Sequence, residues 1–357
     1  MDERSLQQIL AAGVKYGASD VHFKAGMAPL LRVSKDLNWI KAPQLSPEDT
    51  EVIAQILLAR SPHREDSTKP EIDTSYEIPD VGRFRVNIFR QMGRYAIIMR
   101  VIPLKAPSFD NLILPPSIQQ IAEFERGLVL VAGATGSGKS STLAAIINRI
   151  NETRKCHIVT IEDPVEFIHR DLKSSITQRE IGLDTPNFAS ALRATLRQDP
   201  DVVLVGEMRD YETIDIAIKA AETGHLVFST VHTTDTAKTI NRLMSVFPSE
   251  EQNAVRFRLS ESLMAVVAQR LLPRQDSKGM IAACEIMINT LSIKECIINP
   301  EKLGMINDFI SKGRELLGTQ TFDQHLSELF KDGKITLDTA KSAATNPSDL
   351  ERSLHCD

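Results

Sequence analysis

Residues 133–140 read Gly-Ala-Thr-Gly-Ser-Gly-Lys-Ser. Glycines at 133, 136 and 138 let successive backbone N–H groups turn toward one point, and Lys139 and Ser140 add a cation and a hydroxyl beside it. That set cradles phosphates: the lysine reaches β/γ oxygens and the hydroxyl ligates Mg²⁺. The candidate nucleotide-binding residues are therefore Gly133, Ala134, Thr135, Gly136, Ser137, Gly138, Lys139 and Ser140, with Ser141 and Thr142 at the start of the next element. No Asn-Lys-x-Asp guanine signature is present, which favours ATP over GTP.

Three further segments place chemistry at the ends of apolar runs. Asp201–Glu207 is a buried-strand pattern with an acid just beyond its C-terminal end, where open α/β sheets bind ligands. Glu207 is placed there to hold Mg²⁺, with Ser140, or to polarise water. Ile161–Glu166 is a second run ending in acids, and Pro164 should turn the chain out of the sheet, leaving Glu162 and Glu166 over the same edge. Gly224–Thr233 carries His225 and His232 at opposite ends of one strand, about 20 Å apart at ~3.3 Å per residue. His232 is expected near the γ-phosphate; His225 is also kept among the nucleotide-binding candidates.

These groups need elements to hold them. Leu128–Val131 leads into the glycine loop and Thr142–Ile150 leads out as a helix. Ile158–Ile161, Phe188–Leu196, Val202–Val205, Thr213–Ala221, Leu226–Val231 and Thr236–Met244 continue the alternation, which predicts an α/β domain with a parallel sheet covered on both faces. Beyond Pro248 the pattern reads as mostly helical, with a loose segment at Asn346–Ser348. Residues 1–102 read as a small α+β domain: a helix from the cap Asp2 to Gly17, strands at Val21–Phe23 and Leu30–Val33, a helix from Ser46 to Ala59, and strands at Ile72–Ile78 and Arg83–Gln91. Four prolines make 103–116 an extended connector, so the second domain spans 117–357.

Composition narrows the class. Hydrophobic residues are 42% and charged residues 25%, which excludes a disordered or fibrous chain. A net charge of −5, a single Trp and no aromatic–basic tract argue against nucleic acid as the main partner. Four scattered cysteines show neither zinc-ribbon nor secreted-disulfide spacing, Met1–Arg4 leads into a polar-interrupted segment and not an apolar signal-peptide core, and no run reaches the length of a membrane span. The expected setting is a reducing cytoplasm, with any membrane role peripheral.

Taken together, the phosphate loop, Gly17–His22, Gly82–Asn87, Glu162–Glu166, Gln178–Glu180, Gly206–Asp210 and Ala221–His225 resemble the secretion-type hexameric ATPases, specifically the type IV pilus retraction motors of the PilT/PilU family. The resemblance covers nearly the whole chain. It implies a PAS-like N-terminal domain, a RecA-like ATPase domain with a helical C-terminal tail, a ring of six subunits, and action on the inner-membrane platform protein of a type IV pilus. It further implies that Arg83, Arg85 and Arg100 reach a neighbouring active site, and it allows a paralogous motor ATPase as partner. Two segments depart from the family pattern: Ser292–Ile298 replaces a helix associated with retraction, and Ser229 and Val231 stand where Ala and Leu are usual. The alternatives are an accessory PilU-like subunit and a RecA-like nucleic-acid translocase.

Overall fold

The computed structural model describes residues 1–33, 36–59, 69–103, 106–277 and 279–355. Residues 104–105 of the connector and Cys356 lie outside that set. The chain divides into two compact units, Met1–Lys105 with Glu166–Ile168, and Ala106–Val165 with His169–Asp357.

In the first unit, α1 (Glu3–Lys15) starts at Asp2, whose carboxylate accepts from the Ser5 N–H. Strands β1 (Asp20–Lys24), β2 (Leu30–Val33) and β3 (Asp36–Trp39) precede α2 (Pro47–Ala59), and β4 (Glu71–Ile78), β5 (Gly82–Gln91) and β6 (Arg94–Ile102) follow. They form one antiparallel sheet ordered β3-β2-β1-β6-β5-β4. Alternation along β5 sends Phe84, Val86 and Ile88 into a core with Leu6, Leu10, Ile53 and Leu57 of the two helices. Arg83, Arg85 and Asn87 consequently lie on the opposite face. Strands β3 and β6 carry no clean period-two signal; pairing with β2, β1 and β5 makes them strands.

In the second unit, α3 (Phe109–Leu112) and α4 (Pro116–Ile121) precede β7 (Gly127–Ala132) and α5 (Lys139–Thr153). The chain continues through β8 (His157–Glu162), β9 (Ser175–Glu180), α6 (Phe188–Thr195), β10 (Val202–Val205), α7 (Tyr211–Glu222), β11 (Leu226–Val231), α8 (Thr236–Met244) and α9 (Gln252–Ser262). Then come β12 (Leu263–Pro273), β13 (Met280–Ile288), α10 (Leu291–Ile298), α11 (Ile306–Lys312), α12 (Arg314–Leu317), α13 (Phe322–Lys331), α14 (Leu337–Ala343) and α15 (Pro347–His355). The seven strands are ordered β13-β12-β7-β11-β10-β8-β9, parallel throughout except for β13 against β12. Alternate residues enter two cores: Leu128, Leu130, Val203 and Val227 on one face, Val129, Val131, Val202 and Phe228 on the other. Helix α5 packs Leu143, Ile146, Ile147 and Ile150 into the second of these, so its N-terminus is held at the C-terminal edge of the sheet.

Two expectations fail here and a third is incomplete. The region after Pro248 is mostly helical, but it also holds β12 and β13, which pair as a hairpin that also pairs with β7. The connector 103–116 is not wholly extended: Ser108 caps α3 by accepting from Asn111 N–H, and the prolines flank this turn without interrupting it. Asn346–Ser348 is not loose, since Asp323 accepts from the N–H groups of Thr345 (2.7 Å) and Asn346 (3.1 Å) and α15 starts at once. Strand β9 was also missing from the sequence pattern. Among the described residues, no helix is long and apolar enough to cross a membrane.

Candidate active site

The parallel strands β7, β11, β10 and β8 are neighbours in that order, so the residues after their C-terminal ends meet at one edge. Gly133 N–H donates to the Val231 carbonyl (3.2 Å), Gly206 N–H to Ile161 (2.7 Å) and Met208 N–H to Thr230 (3.2 Å). The Thr230 hydroxyl adds a bond to the Gly206 carbonyl (2.6 Å). The strand ends bearing the phosphate loop, His232, Glu207 and Glu162 are thus tied together by main-chain bonds.

The loop has the geometry an anion requires. Gly133 has φ +153°, and a Cβ there would stand 2.3 Å from Ser137 Oγ and 2.7 Å from the Gln269 carbonyl, so a larger residue would close the cradle. Gly136 (φ +79°) and Gly138 (φ +90°) supply the left-handed turns. Helix α5 begins at Lys139 without a side-chain cap, leaving its first N–H groups directed at the loop. Lys139 is buried, with Nζ donating to the carbonyls of Gly133 (2.9 Å) and Ala134 (3.0 Å). Ser137 Oγ is buried without a hydrogen-bond partner among the described residues. An orphaned hydroxyl, a buried ammonium and an uncapped helix N-terminus fit a polyphosphate, and Ser140 at the second helical position fits the ligand of its cation.

Glu207 lies beside the loop. Its Oε2 accepts from Arg209 Nη2 (2.7 Å) and lies 3.5 Å from His232 Nε2. Partial burial, and next the nearby Lys139 charge, lower the His232 pKa despite Glu207, which favours the neutral ring. Glu162 Oε1 accepts from Thr160 Oγ1 (2.7 Å) and Gln178 Nε2 (3.4 Å). Thr142 Oγ1 accepts from Gln269 Nε2 (2.9 Å). Gln269 escapes the sequence reading because the mostly helical pattern after Pro248 marks no strand at Leu263–Pro273.

Of the other candidates, His225 lies at the other end of β11 and four belong to the first unit. His225 precedes β11, its backbone carbonyl accepting from Gly127 N–H at the start of β7 (2.9 Å) and its ring held by the Ala220 carbonyl (3.0 Å). It sits at the sheet edge opposite the phosphate loop, for the reason that six strand residues separate it from His232. Glu166 is exposed and belongs with the first unit. Arg83 donates to Ser75 Oγ (3.2 Å), Arg85 is exposed, and Arg100 donates to Asp20 Oδ1 (3.0 Å). Register puts Ser75, Arg85, Arg100, Asp20 and Arg32 in one cross-strand row, hence on one face. The buried Asp20, only 8% exposed at its side chain, lies between Arg100 and Arg32 and offsets their repulsion. The segment Gly17–His22 was singled out in the sequence, but its role as anion in this row needed the pairing of β1 with β6.

A phosphate loop at the carboxyl edge of a largely parallel sheet, with acids on the adjoining strands, defines a P-loop nucleoside triphosphatase. The chain matches the family described as "Type II/IV secretion system protein" over residues 2–351 and belongs to it, as an ATPase of that family. A Pseudomonas aeruginosa protein described as "Type IV pilus retractation ATPase PilT" is 43% identical over 345 residues, 97% of this chain and 99% of that one. A Neisseria gonorrhoeae "Twitching motility protein" is 46% identical over 322 residues, 90% of this chain and 86% of that one. The crystal structure of the pilus retraction motor PilT with bound ADP matches with a TM-score of 0.88 at 41% identity, covering 97% of this chain and 98% of that one.

Proposed function

We propose that this protein is the ATP-driven motor that retracts a type IV pilus and so powers twitching motility. It works as a homohexamer at the cytoplasmic face of the inner membrane and acts on the platform protein there. The observation that carries the reading is the meeting of Lys139, Glu207, His232 and Glu162 on one sheet edge, in a chain similar over nearly its full length to a retraction ATPase. In this reading residues 117–357 form a RecA-like domain and 1–102 a PAS-like one, joined through 103–116. Lys139 and the N-terminus of α5 bind the β- and γ-phosphates, and Ser140 with Glu207 holds Mg²⁺, which supplies charge neutralisation when bound. Glu207, Glu162 and Glu166 are the acids that orient or deprotonate the attacking water, and neutral His232 reports on the γ-phosphate through Glu207. Arg83, Arg85 and Arg100 stabilise developing charge in the next subunit's site.

The test is the turnover of purified protein together with twitching of a deletion strain. Wild type should hydrolyse ATP and restore motility; Lys139→Ala should fold and do neither. Turnover of Lys139→Ala within about twofold of wild type would overturn the site assignment.

A second reading, an accessory subunit of a paralogous motor, is favoured by α10. There Lys294 donates to Glu261 (2.8 Å) and Glu295 pairs with Lys302, so both charges are engaged within the subunit. Replacing Lys294 and Glu295 by Arg and Asn should leave ATPase activity within about threefold, no phosphate contact being changed, yet alter retraction if α10 meets the client. Unchanged pilus retraction would refute a client role for α10.

A further inference from the structure

The triplet Gln178-Arg179-Glu180 has no part in the proposed chemistry, yet two of its side chains hold the acid-bearing loop. In parallel pairing, Thr160 stands opposite Gln178 and Glu162 opposite Glu180, so the four side chains share one face of β8 and β9. Gln178 uses both ends of its amide. Its Nε2 donates to Glu162 Oε1 (3.4 Å), where the loop begins, and its Oε1 accepts from His169 N–H (2.8 Å), where the loop returns. Glu180 is buried, 7% exposed, and its Oε2 accepts from Val165 N–H (3.3 Å), the residue directly before Glu166. Asp184 fixes Glu180 in turn, accepting from its N–H and donating to its carbonyl, both at 2.8 Å.

From this frame we infer that Gln178 and Glu180 are positioning residues for ATP hydrolysis: they set the direction of the Glu162 carboxylate and the point at which the chain leaves the sheet toward Glu166. The inference rests on the reading that the Glu162–Glu166 acids serve the nucleotide site. The residue types follow from the bonds made. Position 178 must donate to a carboxylate and accept from an N–H, which an amide does and a second carboxylate does not. Position 180 only accepts, so an amide oxygen can replace the carboxylate there. A displaced carboxylate changes the chemical step more than ground-state binding, because water must be aligned only in the transition state.

The experiment uses the full-length ring and reads kcat, KM for ATP, fluorescent ADP affinity and thermal unfolding for Glu180→Leu, Glu180→Gln, Gln178→Glu and Lys139→Ala. Glu180→Leu should lower kcat by between about tenfold and about 100-fold with ADP affinity held within about twofold, and Glu180→Gln should restore most of it. Gln178→Glu places an anion against Glu162, so its turnover should fall and the acid limb of its kcat–pH profile should move to higher pH. A merely structural pair would lose ADP affinity and unfolding temperature together with kcat, with no movement of the pH limb; that result overturns the inference. Full turnover in both Glu180→Leu and Gln178→Glu, with Lys139→Ala inactive, overturns the frame but leaves the site reading standing. Full turnover in Lys139→Ala overturns both.

Discussion

Glu207 pairs with Arg209 and lies 3.5 Å from His232, so in the proposed role its carboxylate is divided between these neighbours and the nucleotide. The Arg209 pair is mostly exposed on the arginine side and contributes little stability, so a ligand that draws Glu207 away meets a low barrier. Removing the negative charge while keeping the shape should spare binding. Glu207→Gln is expected to bind ADP with wild-type affinity while hydrolysis falls about 100-fold, the scale of one oriented acid–base group. Single-turnover kinetics with a fluorescent nucleotide would check this; lost binding with unchanged residual turnover would make Glu207 a structural residue. Lys139 differs in kind, because it is buried against the loop's own carbonyls.

At the scale of elements, the hairpin β12–β13 does two jobs. It places Gln269 against α5 on one side, and on the other it presents an edge strand that the C-terminal region covers. Ile286 and Gln320 exchange main-chain bonds (2.8 and 3.1 Å), and His325 Nδ1 of α13 accepts from the Cys284 N–H (2.9 Å). This acceptor role requires a neutral ring. Burial, with Arg314 adding to it, pushes the His325 pKa down to about 4 from 6.5. The unfolded chain therefore binds the proton first as pH falls, so the contribution is complete above pH 6.5 and is lost as pH drops through about 4. Its full size is on the order of 3 kcal/mol. The expected outcome is a fall in unfolding temperature between pH 7 and pH 4.5 that is smaller in His325→Gln, measured by scanning calorimetry. Equal slopes would show that the α13 contact does not carry this proton.

At the scale of the whole molecule, the proposed ring predicts that the arginine row of one subunit completes the phosphate-loop site of the next. Arg85→Ala and Lys139→Ala subunits should each be inactive alone, while mixed rings should regain part of the wild-type rate, since some interfaces then pair an intact arginine row with an intact loop. ATPase assays on rings shown by mass to be mixed provide the measurement. No recovery, with Arg83 and Arg100 variants behaving alike, would count against arginines acting in trans. Asp20 belongs to this scale too, because its carboxylate between Arg100 and Arg32 offsets the repulsion of the like charges that register places on one face.

The phosphate loop, the strands Val202–Val205 and Leu226–Val231 and the helix Thr236–Met244 were all readable from the chain, because each is encoded within a dozen neighbouring residues: glycines where φ is positive, apolar runs, an aspartate cap at 235. The same holds for the alternating burial of β5 and for the separation of His225 from His232. What folding alone settled is which remote segments pair. Leu263–Pro273 reads equally as helix or strand until it meets β7, and β9 has no strong period of its own until it pairs with β8. The partners of Glu162 and Thr142, Gln178 and Gln269, follow from those pairings, and Arg100 meets Asp20 through the pairing of β1 with β6. Local propensity is a property of a few adjacent residues, whereas a sheet edge is assembled by hydrogen bonds between strands far apart in the chain, and an active site built on such an edge inherits that distance.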